Sequence, residues 1–425
     1  MITGYTPEGI GYAVRRAGSA VGYCALSIGC GTRDEGEFPS GIAHFTEHTV
    51  FKGTAHRSAR SINSCLEMLG GELNAFTTKE ETVIHATVLK NDLSRALRLL
   101  LELATEPSFP EDEIEIEKGV VIEEIQSYKD NPADDIYDCF EEMFFKGHPL
   151  SGLILGTEES VKSITPEHLR AYSSGGFRPE RMVFSMVADI SEEKMVAMIQ
   201  RVCSRLSGTR ADCHLERGGC HLEHGGCHLD RAQRVEKSPV PQYFNDRIRK
   251  DNHEANAVYG GYAPSLGEGR SRLVAGLLAN VIGGPASNSI LGNVLREKNG
   301  WVYGVEASYT PYSDSGIMAI SLGCDPLNLE KVERTVHREL HKICDAPMAA
   351  RTFASVKKQL LGQMAVSTAN GEAECLGLGK SMLAFGYVLS DEAIRETVTS
   401  IKAEEMRAMA ERIFTPGKYS SLLFI

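Results

Sequence analysis

The residues whose types and spacing could do chemistry meet first in Gly41-Ile-Ala-His44-Phe-Thr-Glu47-His48. On a helix, positions three and four apart share a face. His44 and His48 can therefore offer two imidazoles to one metal ion while Glu47 points into the same space. His-x-x-Glu-His is the inverted form of the zincin pattern, in which two His bind zinc and the Glu serves as general base. Two ligands do not complete such a site, because catalytic zinc ordinarily takes three protein ligands and keeps one position open.

A third ligand must come from a second element, and residues 110–128 supply a candidate. Ile114, Val121, Ile125 and Tyr128 recur at threes, fours and sevens, the pattern of an amphipathic helix. Most of its acidic residues read as a solvated face. Glu117 and Glu124 lie seven apart, two turns along one side, so both can address one point on a neighbouring helix.

Around these two helices the chain reads as alternating strands and helices, an α/β mixture. Gly11–Arg15 and Val21–Cys30 alternate like two strands joined by a turn at Ala17-Gly-Ser. A Leu-rich helix spans 92–104, a strand 181–189, and a helix 191–206. At 425 residues the natural expectation is two domains, placed at 1–209 and 246–425 with a linker over 210–245. The second begins with a strand over 255–262. A helix over 273–282, a helix over 287–298 and a hairpin over 302–322 follow, an echo of the first domain without its His pair.

The linker carries a seven-residue unit nearly three times over, beginning at Cys213, Cys220 and Cys227. Its adjacent Cys-His pairs could bind a metal, yet they match no usual zinc spacing, and the repeated Gly-Gly favours a flexible connector. The other cysteines, among them Cys24, Cys65, Cys203 and Cys375, lie in apolar surroundings as free thiols do. His148 beside Pro149 reads as a loop residue, and His168 as a polar position at a helix start.

Composition narrows the field further. With 45 basic against 57 acidic residues the net charge is -12, and no basic stripe exists to neutralise phosphates, which argues against nucleic acid. No run of 18 apolar residues and no signal-like start is present, so a cytoplasmic enzyme without membrane contact is the expectation.

Glu124 lies 76 positions after His48, and Glu117 seven before Glu124. With Phe51-Lys-Gly-Thr54, Gly70-Gly-Glu-Leu-Asn74-Ala-Phe-Thr77 and Tyr128-Lys-Asp-Asn-Pro132, these spacings resemble the pitrilysin and insulinase zinc peptidases, in the branch of the mitochondrial processing peptidase and its bacterial relatives. The resemblance implies an α+β fold of two similar domains, each a mostly antiparallel sheet packed with helices, only the first holding metal. It implies one zinc per chain on His44, His48 and Glu124, with Glu47 as base and Glu117 supporting the site or assisting catalysis. By the same resemblance Asn74, Ala75 and Phe76 form an exposed strand that takes up a substrate peptide. Arg296 and Tyr303, seven apart, would bind its backbone near the scissile bond. The family encloses peptides in a chamber of four such domains. A chain of two that carries both residue sets therefore implies a homodimer, with Arg296 and Tyr303 acting across it. The alternative is a non-catalytic structural or substrate-binding subunit of the same family.

Overall fold

The computed structural model describes residues 1–206, 238–250 and 252–425. The Cys-His repeat and most of the expected linker lie outside the described residues. Two compact units are present, each built on one sheet.

The first unit comprises Met1–Ile125, the described residues from Gly152 to Leu206, and Val366–Leu389. Its sheet holds β1 (Ile2–Tyr5), β2 (Gly11–Arg16), β3 (Val21–Ile28), β4 (Glu72–Thr77), β5 (Thr82–Leu89) and β6 (Met182–Ala188), in the order β1-β2-β6-β3-β5-β4. Every neighbouring pair is antiparallel except β2 with β6. The strands β2 and β3, close in sequence, are thus not neighbours. The wholly buried run Met182-Val-Phe-Ser-Met-Val-Ala188 sits between them, as a continuous apolar stretch suits a strand covered on both faces.

Between β3 and β4 come α1 (Ile42–Val50) and α2 (Ala59–Glu67). After β5 come α3 (Leu93–Thr105), whose Leu93, Leu97 and Leu100 are buried in the core, and α4 (Glu111–Asp130). Glu111, Asp112 and Glu113 place negative charge on the first turn of α4, where the helix dipole favours it. Asn131 then caps α5 (Pro132–Phe144), accepting from the backbone N–H of Ala133, with Pro132 in the first turn.

The second unit comprises Gln126–Ser151, the described residues from Ser238 to Ala365, and Ser390–Ile425. Its sheet holds β7 (Asn245–Ile248), β8 (Ala255–Tyr262), β9 (Val302–Pro311), β10 (Gly316–Cys324) and β11 (Tyr419–Phe424), in the order β7-β11-β8-β10-β9. Only β7 with β11 is parallel. This is the first sheet without β1: β7, β11, β8, β10 and β9 stand where β2, β6, β3, β5 and β4 stand. The helix Gly269–Gly283 follows β8 as α1 follows β3. The helix read over 287–298 is reduced to a π-helical turn, Gly292–Glu297.

The units differ from the contiguous halves 1–209 and 246–425 in two segments. Ile136, Phe140 and Phe144 of α5 are buried with Val258, Ile317, Leu422 and Phe424 of the second sheet. Conversely Cys375, Leu378, Met382 and Leu383, from the helix Gly371–Phe385, are buried with Ala13, Ala25, Val83, Val183 and Val187 of the first. An apolar helix face announces that it will be covered, not by which sheet. Each fully buried Leu, Phe or Met contributes roughly 1.5–3 kcal/mol, which is what holds these segments in place.

Candidate metal centre

The helix α1 is set by its first residues. Gly41 has φ 85, and a Cβ there would lie 2.5 Å from the Leu155 carbonyl oxygen, so both conformation and space require glycine. The Glu35 carboxylate accepts from the backbone N–H groups of Gly41 at 3.0 Å and Ala43 at 3.1 Å. It thereby satisfies donors that a helix start leaves open. Burial pushes the Glu35 carboxyl up to about 8, despite those two donors and nearby Lys79.

Ile42, Phe45 and Val50 anchor α1 in the first core, fully buried. His44, Glu47 and His48 share another face and meet α4. Glu124 Oε2 lies 3.8 Å from His44 Nε2 and 3.5 Å from His48 Nε2. One ligand atom from each of the three side chains falls within 4.8 Å of the others, the one such set among the described residues. A tetrahedral zinc with bonds of about 2.0–2.1 Å holds its ligand atoms roughly 3.3 Å apart, so small side-chain adjustments bring these three onto one ion. The donor set of two imidazoles and a carboxylate suits zinc, and the residues present fit it.

The supporting contacts point the same way. His48 Nδ1 donates to Glu117 Oε1 at 2.8 Å, which leaves the Nε2 lone pair facing Glu124. The other Glu117 oxygen pairs with Lys52 Nζ at 2.6 Å. Thr77, the last residue of β4, donates its hydroxyl to Glu47 Oε2 at 2.7 Å. By contrast His44 Nδ1 is buried and has no hydrogen-bond partner among the described residues.

The electrostatics of these side chains follow from burial and from these partners. Burial, with the nearby His48, lowers His44 to about 3, so its ring stays neutral with a lone pair to give. For His48 burial works against the charged form, but the Glu117 hydrogen bond and the carboxylates of Glu47, Glu117 and Glu124 outweigh it and raise the ring's pKa. Glu117 is driven up by burial and further down by His48 and Lys52, ending below the usual carboxylate range. Burial raises Glu47, opposed by the Thr77 hydroxyl and His48, in the direction a general base needs.

The remaining expected residues are placed as follows. Asn74, Ala75 and Phe76 lie on β4, the edge of the first sheet, paired with β5 on one side only. A cleft of about 510 Å³ beside them is lined by Phe51, Asn63, Glu67 and Leu73 among others. Arg296 sits on the π-helical turn and Tyr303 near the start of β9, the edge of the second sheet; both line a cleft of about 900 Å³ in the second unit. The Tyr303 side chain is exposed. His148 lies in the second unit, its Nε2 3.4 Å from Asp314, and His168 Nδ1 accepts from the Thr165 N–H; neither belongs to the metal set. Thr77, Lys52 and Glu35 are the contributors that residue types alone did not single out, although Thr77 and Lys52 stand inside the quoted family signatures.

The pattern described as insulinase (peptidase family M16) matches residues 13–158, and that described as peptidase M16 inactive domain matches residues 163–360. The chain belongs to this family. It is 30% identical over 391 residues to the uncharacterized zinc protease YmxG of Bacillus subtilis (strain 168), covering 91% of this chain and 89% of that protein. An uncharacterized zinc protease of Mycobacterium leprae (strain TN) is 28% identical, with 91% and 83% covered. In three dimensions a protease from Helicobacter pylori superposes with a TM-score of 0.86 at 16% identity, covering 100% of this chain and 98% of the other, which shows the shared fold. Among the described residues no helix is long and apolar enough to cross a membrane.

Proposed function

We propose that this chain is a zinc metalloendopeptidase that hydrolyses peptides or unfolded polypeptides. The observation that carries the reading is the convergence of His44, His48 and Glu124 beside a buried, hydroxyl-held Glu47. The names of the bacterial relatives support the metal and the class of reaction.

Zinc held by His44, His48 and Glu124 supplies Lewis acidity to a water molecule and to the scissile carbonyl. The chain's own residues do the rest. The edge strand β4 pairs backbone to backbone with an extended peptide at Asn74, Ala75 and Phe76, which fixes the register of the bond to be cut. Glu47, aimed by Thr77, takes the water's proton and passes it to the leaving nitrogen. Glu117 holds the His48 tautomer. Arg296 donates to substrate carbonyls, and the Tyr303 phenol donates to the oxygen on which charge develops.

Arg296 and Tyr303 belong to the second unit, whereas the metal residues belong to the first. By resemblance to family members that enclose peptides in a chamber of four such domains, the reading includes a homodimer, in which these two residues of one subunit serve the zinc of the other.

The test is hydrolysis of an internally quenched peptide by the full chain. Cleavage should stop with a chelator and return with added zinc. Activity untouched by chelation would remove the metal from the reaction. A zinc-loaded chain that cleaves no peptide would leave the non-catalytic subunit as the reading.

A further inference from the structure

The loop that leaves α1 carries a charge whose position the metal motif does not explain. Lys52 follows the helix cap Phe51, and its backbone N–H is tied to the Thr49 carbonyl at 3.0 Å, so its stem starts from a fixed point. From there Lys52 Nζ reaches Glu117 Oε2 at 2.6 Å, while Glu117 Oε1 takes the His48 Nδ1 proton at 2.8 Å. The Glu117 side chain is 5% exposed and that of Lys52 28%. A carboxylate so shielded from water needs partners on both oxygens. His48 brings only one donor, and Lys52 brings the other.

We propose that Lys52 is a positioning residue of the metal centre, locking the Glu117 carboxylate so that Glu117 in turn locks the His48 ring for metal binding. The inference rests on the zinc-site reading above. The contrast with His44 adds weight. His44 Nδ1 has no partner among the described residues, so the orientation that hydrogen bonds give to the imidazole pair enters through His48 alone. With Lys52 gone, one buried oxygen of Glu117 loses its donor, the carboxylate is free to turn, and the ring it holds turns with it.

The role makes a prediction that simple charge attraction across space does not: Lys52 acts through Glu117. Zinc affinity of the full chain, by competition with a chromophoric chelator at neutral pH, should fall about 10- to 100-fold in Lys52→Met. Lys52→Arg, which keeps a donor, should restore most of the loss. Glu117→Gln should weaken zinc by a similar factor, and the double variant Lys52→Met/Glu117→Gln should be no weaker than the worse single one. His48→Ala gives the baseline for zinc held elsewhere in the chain, and melting of each metal-free variant shows whether it folds. Wild-type affinity in a folded Lys52→Met chain, or losses that multiply in the double variant, would overturn the proposal. If Lys52→Met does not fold, Lys52→Arg against Glu117→Gln decides: affinity in the Arg variant as low as in the Gln variant overturns it. The readout is metal affinity, so it stands apart from whether the loaded chain cleaves peptides.

Discussion

The two units repeat one strand order with the parallel pair at the same place, yet their first helices differ in kind. The helix α1 presents His44, Glu47 and His48 beside Glu124 of α4. Its counterpart Gly269–Gly283 contains no His, Asp or Glu, and buries Val274, Leu277, Leu278 and Val281 instead. The helix Ala350–Thr368, which follows β10 in second place as α4 follows β5, has no carboxylate either. The backbone plan is thus indifferent to the chemistry, which depends on a few side chains at two positions of the plan. What the second unit keeps is the edge strand and its cleft, with Arg296 and Tyr303.

That division of labour can be broken experimentally. The largest effect is expected at Glu47. Glu47→Gln should retain zinc and lose roughly 10²- to 10⁴-fold in kcat, because the ligands are untouched and only proton transfer fails. Full turnover in this variant would take the base away from the first unit.

The second unit should matter less and differently. Arg296→Ala and Tyr303→Phe should each lower kcat/KM about 10- to 100-fold with zinc content unchanged. Mixing Arg296→Ala chains with Glu47→Gln chains should recover activity if the two residue sets act across a dimer. A mixture no more active than its components would confine each site to one chain.

The last effect falls on stability and concerns the device that starts α1. Glu35 is raised from its ordinary 4.5 to about 8 by burial. The folded chain therefore holds this proton more tightly than the unfolded one. The resulting stability is complete below the ordinary value and is lost as pH rises through the folded one. Glu35→Gln keeps an acceptor oxygen for the Gly41 and Ala43 N–H groups without a charge. Between about pH 5 and 8 the wild type should lose roughly 3–4 kcal/mol relative to this variant, read as diverging melting temperatures. Parallel curves would show that Glu35 ionises freely.

What the sequence discloses here follows from the range of each interaction. His44, Glu47 and His48 are legible because helix geometry makes three- and four-residue spacings meaningful. Glu117 and Glu124 share a side for the same reason, but joining them to α1 across 76 positions took a family resemblance, since local pattern carries no such distance. Thr77 and Lys52 make their contacts between elements, to Glu47 and Glu117, and a Thr at a strand end or a Lys after a helix looks ordinary in isolation. The same limit hides the strand order. Nothing near Ala17-Gly-Ser reveals that β6, some 160 residues on, will separate β2 from β3. Likewise α5 and Gly371–Phe385 show apolar faces whose covering sheets only the fold specifies.

The central claim is that the first unit alone holds the metal, on α1 and α4. The most direct measurement is zinc per chain by elemental analysis, in the wild type and in His44→Ala/His48→Ala. The account predicts about one zinc per chain, falling to near none in the variant. Zinc retained in the variant at the wild-type level would contradict it.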